Sequence, residues 1–322
     1  MDRKTQLTKS IPEFMNSWNT YKKSLKGLKI TDWFISSDYC FDDPNKLDVA
    51  TFTIFPANYL RILSNEVKRH LPHDIKQTKV FSENELNFLQ NTKYCFNISC
   101  IVNDVERCFN RDAALYHCEK LLKIHRDDIP FKICDSDFHK KRKQLQAFLN
   151  SLKKKNCPLK LFSQIYFIAH TVAQIIEFLI IKEGAKIVGW CSDRGHITSF
   201  VGGMVFNLVQ MYVHSYIKDR VKDYQLAIPP EYKKEMDLLI RIPDIITGAL
   251  SSLITTPKGV STQKLKHQQL ILNSVVNNKR IVSLVYNFDK ENQMHGQRII
   301  FETLDKMPLF KFEREYLEQH PL

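Results

Sequence analysis

Glycine is scarce in this chain, nine residues in 322, and the glycine patterns that cradle phosphates are missing. Neither G-x-G-x-x-G nor G-x-x-x-x-G-K-[ST] occurs, which excludes a Rossmann dehydrogenase, a protein kinase and a P-loop enzyme. No Ser or Cys stands in a nucleophile elbow. The eight cysteines form no C-x-x-C pair, so neither a redox couple nor a zinc knuckle is expected, and Cys95, Cys100, Cys108 and Cys118 are wrongly spaced for one. The opening "MDRKTQLTKSIPEFMNSW" carries charge but no apolar stretch, so no secretory signal is read. Reduced thiols in a cytoplasmic protein follow as the expectation. Internal repeats and low-complexity tracts are also lacking.

Acids are in short supply: 35 Asp and Glu face 47 Lys and Arg, a formal net charge of +12. Such an excess suits a polyanionic partner, and nucleic acid (DNA or RNA) is the expected one. With 43% hydrophobic and 25% charged residues, the chain is ordinary globular material able to bury a sizeable core. Two apolar stretches, 164–181 and 197–217, approach membrane length, but both carry amides and His, and the first carries Glu177. Buried core helices, with no membrane partner, are the better reading.

The order of elements suggests three parts. Residues 1–28 read as a basic N-terminal helix or arm, 29–260 as the main domain, and 261–322 as a helical extension with a helix around 262–278 and a strand in "RIVSLVYNF". In the main domain a strand at about 31–37 ends at Asp38, a second covers "VATFTIF" (49–55) and a third "YCFNISCIV" (94–102). Leu60, Leu63, Val67 and Leu71 predict a helix over 58–71. The stretch 103–158 reads as a helical insertion with a basic face, on which Lys140, Lys141, Arg142 and Lys143 are candidate phosphate contacts. An apolar helix over 162–182 stops at Gly184, a strand covers 186–191, and a long helix spans 197–222. Gly202 and Gly203 read as a site of close packing within it, and a helix pair follows at 232–242 and 244–256. Strands alternating with helices predict an α/β (α+β) domain with a mixed sheet.

Three acids stand at telling places: Asp38 at the end of the first strand, Asp193 at the end of a later one, and Asp244 in "LLIRIPDIITGAL". Ligand sites in open α/β sheets gather at the carboxyl ends of strands. Carboxylates converging there bind hard divalent cations such as Mg²⁺ or Mn²⁺, which support phosphodiester hydrolysis. Structural roles compete at every position. Asp38 suits a turn, Asp193 a helix cap or a pair with Arg194, and Asp244 the first turn of a helix begun by Pro243. Glu177, an acid amid "AQIIEFLII", needs a partner or a ligand, and His170 lies seven residues before it. Arg194 is a candidate phosphate clamp, and His196 a candidate proton donor or phosphate contact.

"SSDYC" (36–40), "WCSDRG" (190–195) and "IRIPDIITGAL" (240–250) together resemble a large RNase H-like family. Its first strand usually ends in Asp-Glu-Ser-Gly, and its late helix reads roughly Gln-x-Ala-Asp-x-Ile-Ala-Gly. The resemblance covers about 30–256. It implies an RNase H-like mixed sheet flanked by helices and metal-dependent nuclease activity, with Asp38, Asp193 and Asp244 as metal ligands. Tyr39 stands where the family has Glu, and no Gly follows; the substitute catalytic carboxylate is Asp42 or Asp43 from the turn, or Glu177, whose place in an apolar helix is costly unless it pairs or ligates. The departure favours a second reading, a catalytically degenerate nucleic-acid-binding or interaction subunit, for example of a bacterial defence or mobile-element system. A third is a metal-free ribonuclease of the HEPN type, from Arg111 and His117 six apart in "RDAALYH".

Overall fold

The computed structural model describes residues 14–312, apart from 26–27, 73–77, 109, 128–135, 218–219, 222, 229–235, 257–258, 263, 277, 289–293 and 305–306. The elements follow as α1 (Phe14–Ser24), β1 (Asp32–Cys40), β2 (Val49–Pro56), α2 (Leu60–His70), α3 (Glu83–Asn91) and β3 (Phe96–Val102). Next come α4 (Arg111–Asp127), α5 (Ser136–Leu152), α6 (Leu159–Glu183), β4 (Ile187–Ser192), α7 (Met204–Ile217) and β5 (Gln225–Ala227). The last are α8 (Asp237–Ser251), β6 (Leu253–Thr256), β7 (Gly259–Thr262), α9 (Leu265–Leu270), β8 (Ile281–Phe288), β9 (Met294–Leu304) and β10 (Met307–Phe312).

Eight strands form one mixed sheet in the order β10-β9-β8-β3-β2-β1-β4-β5, and β6 and β7 form a separate hairpin. β2 runs antiparallel to both its neighbours, β1 and β3, while β4 runs parallel to β1, β5 to β4, and β8 to β3. The carboxyl ends of β1, β3, β4, β5 and β8 therefore share one edge. This mixed α/β architecture is consistent with an RNase H-like fold at the general level.

Helices cover both faces of the sheet, so its central strands are buried on both sides. β2 reads as a continuous apolar run because every one of its residues is buried. One face packs α1, α4, α5, α6 and α7 around Trp33, Ile35, Phe52, Ile98 and Trp190. The other packs α2, α3, α8 and α9 around Phe55, Cys95, Ile101 and Cys191. The helix α6 is apolar on all sides, and 83% of its most apolar window is buried within the protein. It is the core helix the sequence suggests. At α3, Ser82 and Glu85 form a reciprocal capping box that satisfies two free amides.

Four expectations change. The N-terminal segment is no free arm: Phe14, Trp18 and Tyr21 of α1 are fully buried, and the Trp18 indole donates to Glu183 at 2.7 Å. The strand expected in "RIVSLVYNF" forms as β8, but with β9 and β10 it joins the main sheet rather than a separate helical extension, so no domain boundary falls at 260. The long helix 197–222 is broken. A turn of helix (His196–Ser199) and a 3₁₀ turn precede α7, because Gly202 and Gly203 take φ of 64° and 85°. These glycines make a kink, since φ > 0 is strained for side-chain-bearing residues. The helix pair around Pro243 is one helix, α8, with the proline inside it.

That proline explains how α8 is fixed to the sheet. Pro243 has no N–H, so the carbonyl four residues earlier, on Leu239, loses its intrahelical donor. The Ser36 hydroxyl of β1 donates to that carbonyl at 2.9 Å. A local defect in the helix thus becomes a long-range tie.

Candidate functional site

Asp38 and Asp193 are brought side by side at one end of the sheet, and Asp244 lies on the helix that packs over β1. Ser37 of β1 pairs with Ser192 of β4, and the Asp193 amide donates to the Ser37 carbonyl at 3.0 Å. Asp193 thus continues the parallel ladder one residue past β4, beside Asp38. β1 itself runs on through Asp38 to Cys40, with Asp38 opposite Thr51 of β2. The turn role suggested for Asp38 is therefore not its role.

Alternation along β1 sets the side that Asp38 faces. Ser36 bonds Leu239 on α8, and Cys40 bonds Ser251 at the end of α8. Asp38, midway between them, shares their side, and the Thr247 hydroxyl donates to its carbonyl at 3.3 Å. Asp38 is 6% exposed. Cys191 packs into the α8 layer, and Asp193 has the same parity in β4. Asp244, half-buried, lies in α8 one turn before Thr247. Its position inside the helix removes the first-turn explanation. Among the described residues, however, no three His, Cys, Asp or Glu side chains are gathered closely enough to hold a metal ion.

The substitute residues go elsewhere. Tyr39 faces the opposite layer, where its hydroxyl lies 2.6 Å from the Ser37 hydroxyl and accepts from Ser192 at 2.7 Å. The Trp190 indole donates to the same Ser37 hydroxyl at 3.0 Å. Burial raises the Tyr39 phenol well above its ordinary range, although both serine bonds oppose the shift. Asp42 accepts from Gln164 at 2.7 Å and pairs with Lys160 at 2.9 Å, while Asp43 pairs with Lys46 at 3.0 Å. Burial works to raise Asp42, but Lys160 and Gln164 outweigh it and hold the carboxyl below its ordinary value.

Glu177 does not join the aspartates. It lies on α6, across the sheet from α8, with its side chain 2% exposed and 2.5 Å from Arg220. The partner is thus Arg220; His170 instead bonds Tyr216 and Gln174. Nor do Arg111 and His117 form a ribonuclease pair. Arg111 donates to the Lys155 carbonyl at 2.7 Å, while His117 bonds the Tyr212 hydroxyl. The cysteines are also divided between the two layers. Cys95 lies in the α8 layer and Cys100 and Cys118 in the α6 layer, all three with thiols raised by burial.

The cationic candidates divide. Arg194 and His196 are exposed in the connection that leaves Asp193. Arg142 and Lys143 are exposed on α5; Lys140 and Lys141 belong to the same helix, with side chains outside the described residues. Sequence reasoning missed a cleft of about 640 Å³ at the same sheet end, lined by Asp42, Asp48, Asp104 and Glu106 with Lys46 and Lys160. Burial raises the Asp48 carboxyl there. The signal in sequence was the acid-rich turn "DDPNKLD" after β1. No family model, curated protein or solved structure matches the chain.

Proposed function

We propose that this chain is a nucleic-acid-processing protein in which Asp38, Asp193 and Asp244 hold a Mg²⁺ or Mn²⁺ ion for phosphodiester hydrolysis. The observation that supports this most is the bond from the Asp193 amide to the Ser37 carbonyl, which sets Asp193 beside Asp38 at the carboxyl edge. The donor chemistry fits: all three groups are carboxylates, the oxygen ligands that hard divalent cations take. When bound, such an ion activates a water and stabilises the leaving oxygen. The protein's own part is positioning. Asp38 is held by ladders to β2 and β4, and Asp244 is carried by a helix tied to β1 through Ser36. Arg194, exposed next to Asp193, is the candidate phosphate clamp. The free thiols of the described cysteines suit a reducing, cytoplasmic compartment.

A second reading, a nucleic-acid-binding protein without hydrolysis, is favoured by one observation. Tyr39 replaces the family's Glu, and its hydroxyl is committed to Ser37 and Ser192 in the other layer. Cleavage assays on labelled single- and double-stranded DNA and RNA separate the two. Hydrolysis in Mg²⁺ or Mn²⁺ that EDTA and Asp193→Asn each abolish supports the first reading. Cleavage indifferent to Asp193→Asn, or binding without cleavage, overturns it.

A further inference from the structure

Between Asp137 and Glu177 the sequence holds eight Lys and Arg and no acid. Much of this stretch is α5, whose apolar side (Leu145, Phe148, Leu149, Leu152) is buried. Phe148 stacks on Phe162 at 4.8 Å and meets Phe200 edge-on at 5.7 Å. The opposite side is exposed and carries Arg142 and Lys143 at one end, with Gln146, Ala147 and Asn150 along it, and Lys153 and Lys154 are exposed in the turn that follows. From Arg142 to the last helical residue, Leu152, the helix rises roughly 15 Å, a span that covers more than one phosphate of a strand.

α4 packs beside α5, and Arg111 at its start reaches the Lys155 carbonyl beyond the end of α5. The two helices therefore form an antiparallel hairpin. On α4, Tyr116, Lys120 and Lys123 are exposed at positions i, i+4 and i+7, on a face of mixed charge that Asp112 and Glu119 share. Tyr116 is 68% exposed. Among the described residues, none of Lys120, Lys123, Arg142, Lys143, Lys153 and Lys154 has a carboxylate partner. The hairpin also adjoins the candidate site. Gln144 donates to the Gly202 carbonyl at 3.4 Å, and Gly202 and Phe200 lie in the connection that leaves Asp193.

We infer that the solvent side of the α4–α5 hairpin is a docking surface for single-stranded nucleic acid, with Tyr116 as a stacking platform and the cations of α5 along the phosphates. The cations of α5 and of the turn after it, with no acid among them, match a polyanion. An exposed tyrosine on the neighbouring helix selects the single strand, because only unstacked bases offer a free π-face. The inference rests on the reading above for the identity of the polyanion, but not on hydrolysis.

Fluorescence anisotropy of the full chain, in EDTA so that cleavage plays no part, tests it with a labelled single strand and its blunt duplex. The single strand binds more tightly. Tyr116→Ala weakens it roughly tenfold while Tyr116→Phe retains binding. Lys153→Glu with Lys154→Glu weakens it further and flattens its dependence on salt. Tighter binding of the duplex, binding of neither, or binding that these substitutions leave unchanged overturns the inference. Intact binding without cleavage in Mg²⁺ sinks only the hydrolase reading.

Discussion

The Ser36 hydroxyl donates to the Leu239 carbonyl across 203 positions of sequence, at 2.9 Å. The bond exists because Pro243 cannot supply the amide that Leu239 would otherwise accept from. Ser36→Ala leaves a buried carbonyl without its donor and is expected to cost about 1–3 kcal/mol in urea unfolding. In a Pro243→Ala background the restored amide satisfies Leu239, and the cost of Ser36→Ala shrinks. Equal costs in both backgrounds contradict the account.

The Glu177–Arg220 pair is asymmetric: the carboxylate is 2% exposed and the guanidinium 34%. Arg220→Ala removes the cation from a buried carboxylate and is expected to cost up to about 3–5 kcal/mol. Glu177→Gln leaves a half-exposed arginine with solvent access and costs less. A larger loss for Glu177→Gln reverses the assignment.

Between α4, α6 and α7, burial lowers His117 and His170 from the ordinary 6.5 to about 4, with Lys120 adding to the first shift and His117 to the second. Below pH 6.5 the unfolded chain binds more protons at these rings than the folded one. Their contribution is therefore fully present above about pH 6.5 and is lost as pH falls toward about 4, on the order of 2–3 kcal/mol per ring. Urea midpoints across this range should fall with acid, and His170→Gln should flatten the slope. A slope that His170→Gln leaves untouched refutes this origin.

Two glycines should respond with opposite signs. Gly203 has φ of 85°, and an added Cβ would lie 3.0 Å from the Phe206 ring. Gly203→Ala is expected to destabilise by about 1–2 kcal/mol. Gly248 sits inside α8 with nothing within 4 Å of an added Cβ. Gly248→Ala should stabilise by about 0.5–1 kcal/mol. Thermal unfolding of the two variants reads both signs.

Much of the fold was legible because its causes are local. The β-branched run at 49–55, the spacing of Leu63 and Val67, and the long apolar stretch ended by Gly184 each encode an element within a few residues. The candidate site was legible in part. The positions of Asp38 and Asp193 at the ends of strands followed from pattern, but Asp244 sits inside a helix rather than at its start, and the companion chosen for them, Glu177, sits across the sheet. Its need for a partner was readable; the identity of Arg220 was not, because nothing local links α6 to the residues after α7.

The amino-acid sequence alone determined the excess of basic charge, the alternation of strands and helices, and the apolar identity of α6. Only the tertiary structure decided that α1 is core, that β8 joins β3, that Pro243 belongs inside a helix, and that Asp193 comes beside Asp38. Each of these depends on a partner distant in sequence that satisfies a carbonyl, fills a face or completes a ladder, and such partners exist only once the chain has closed on itself.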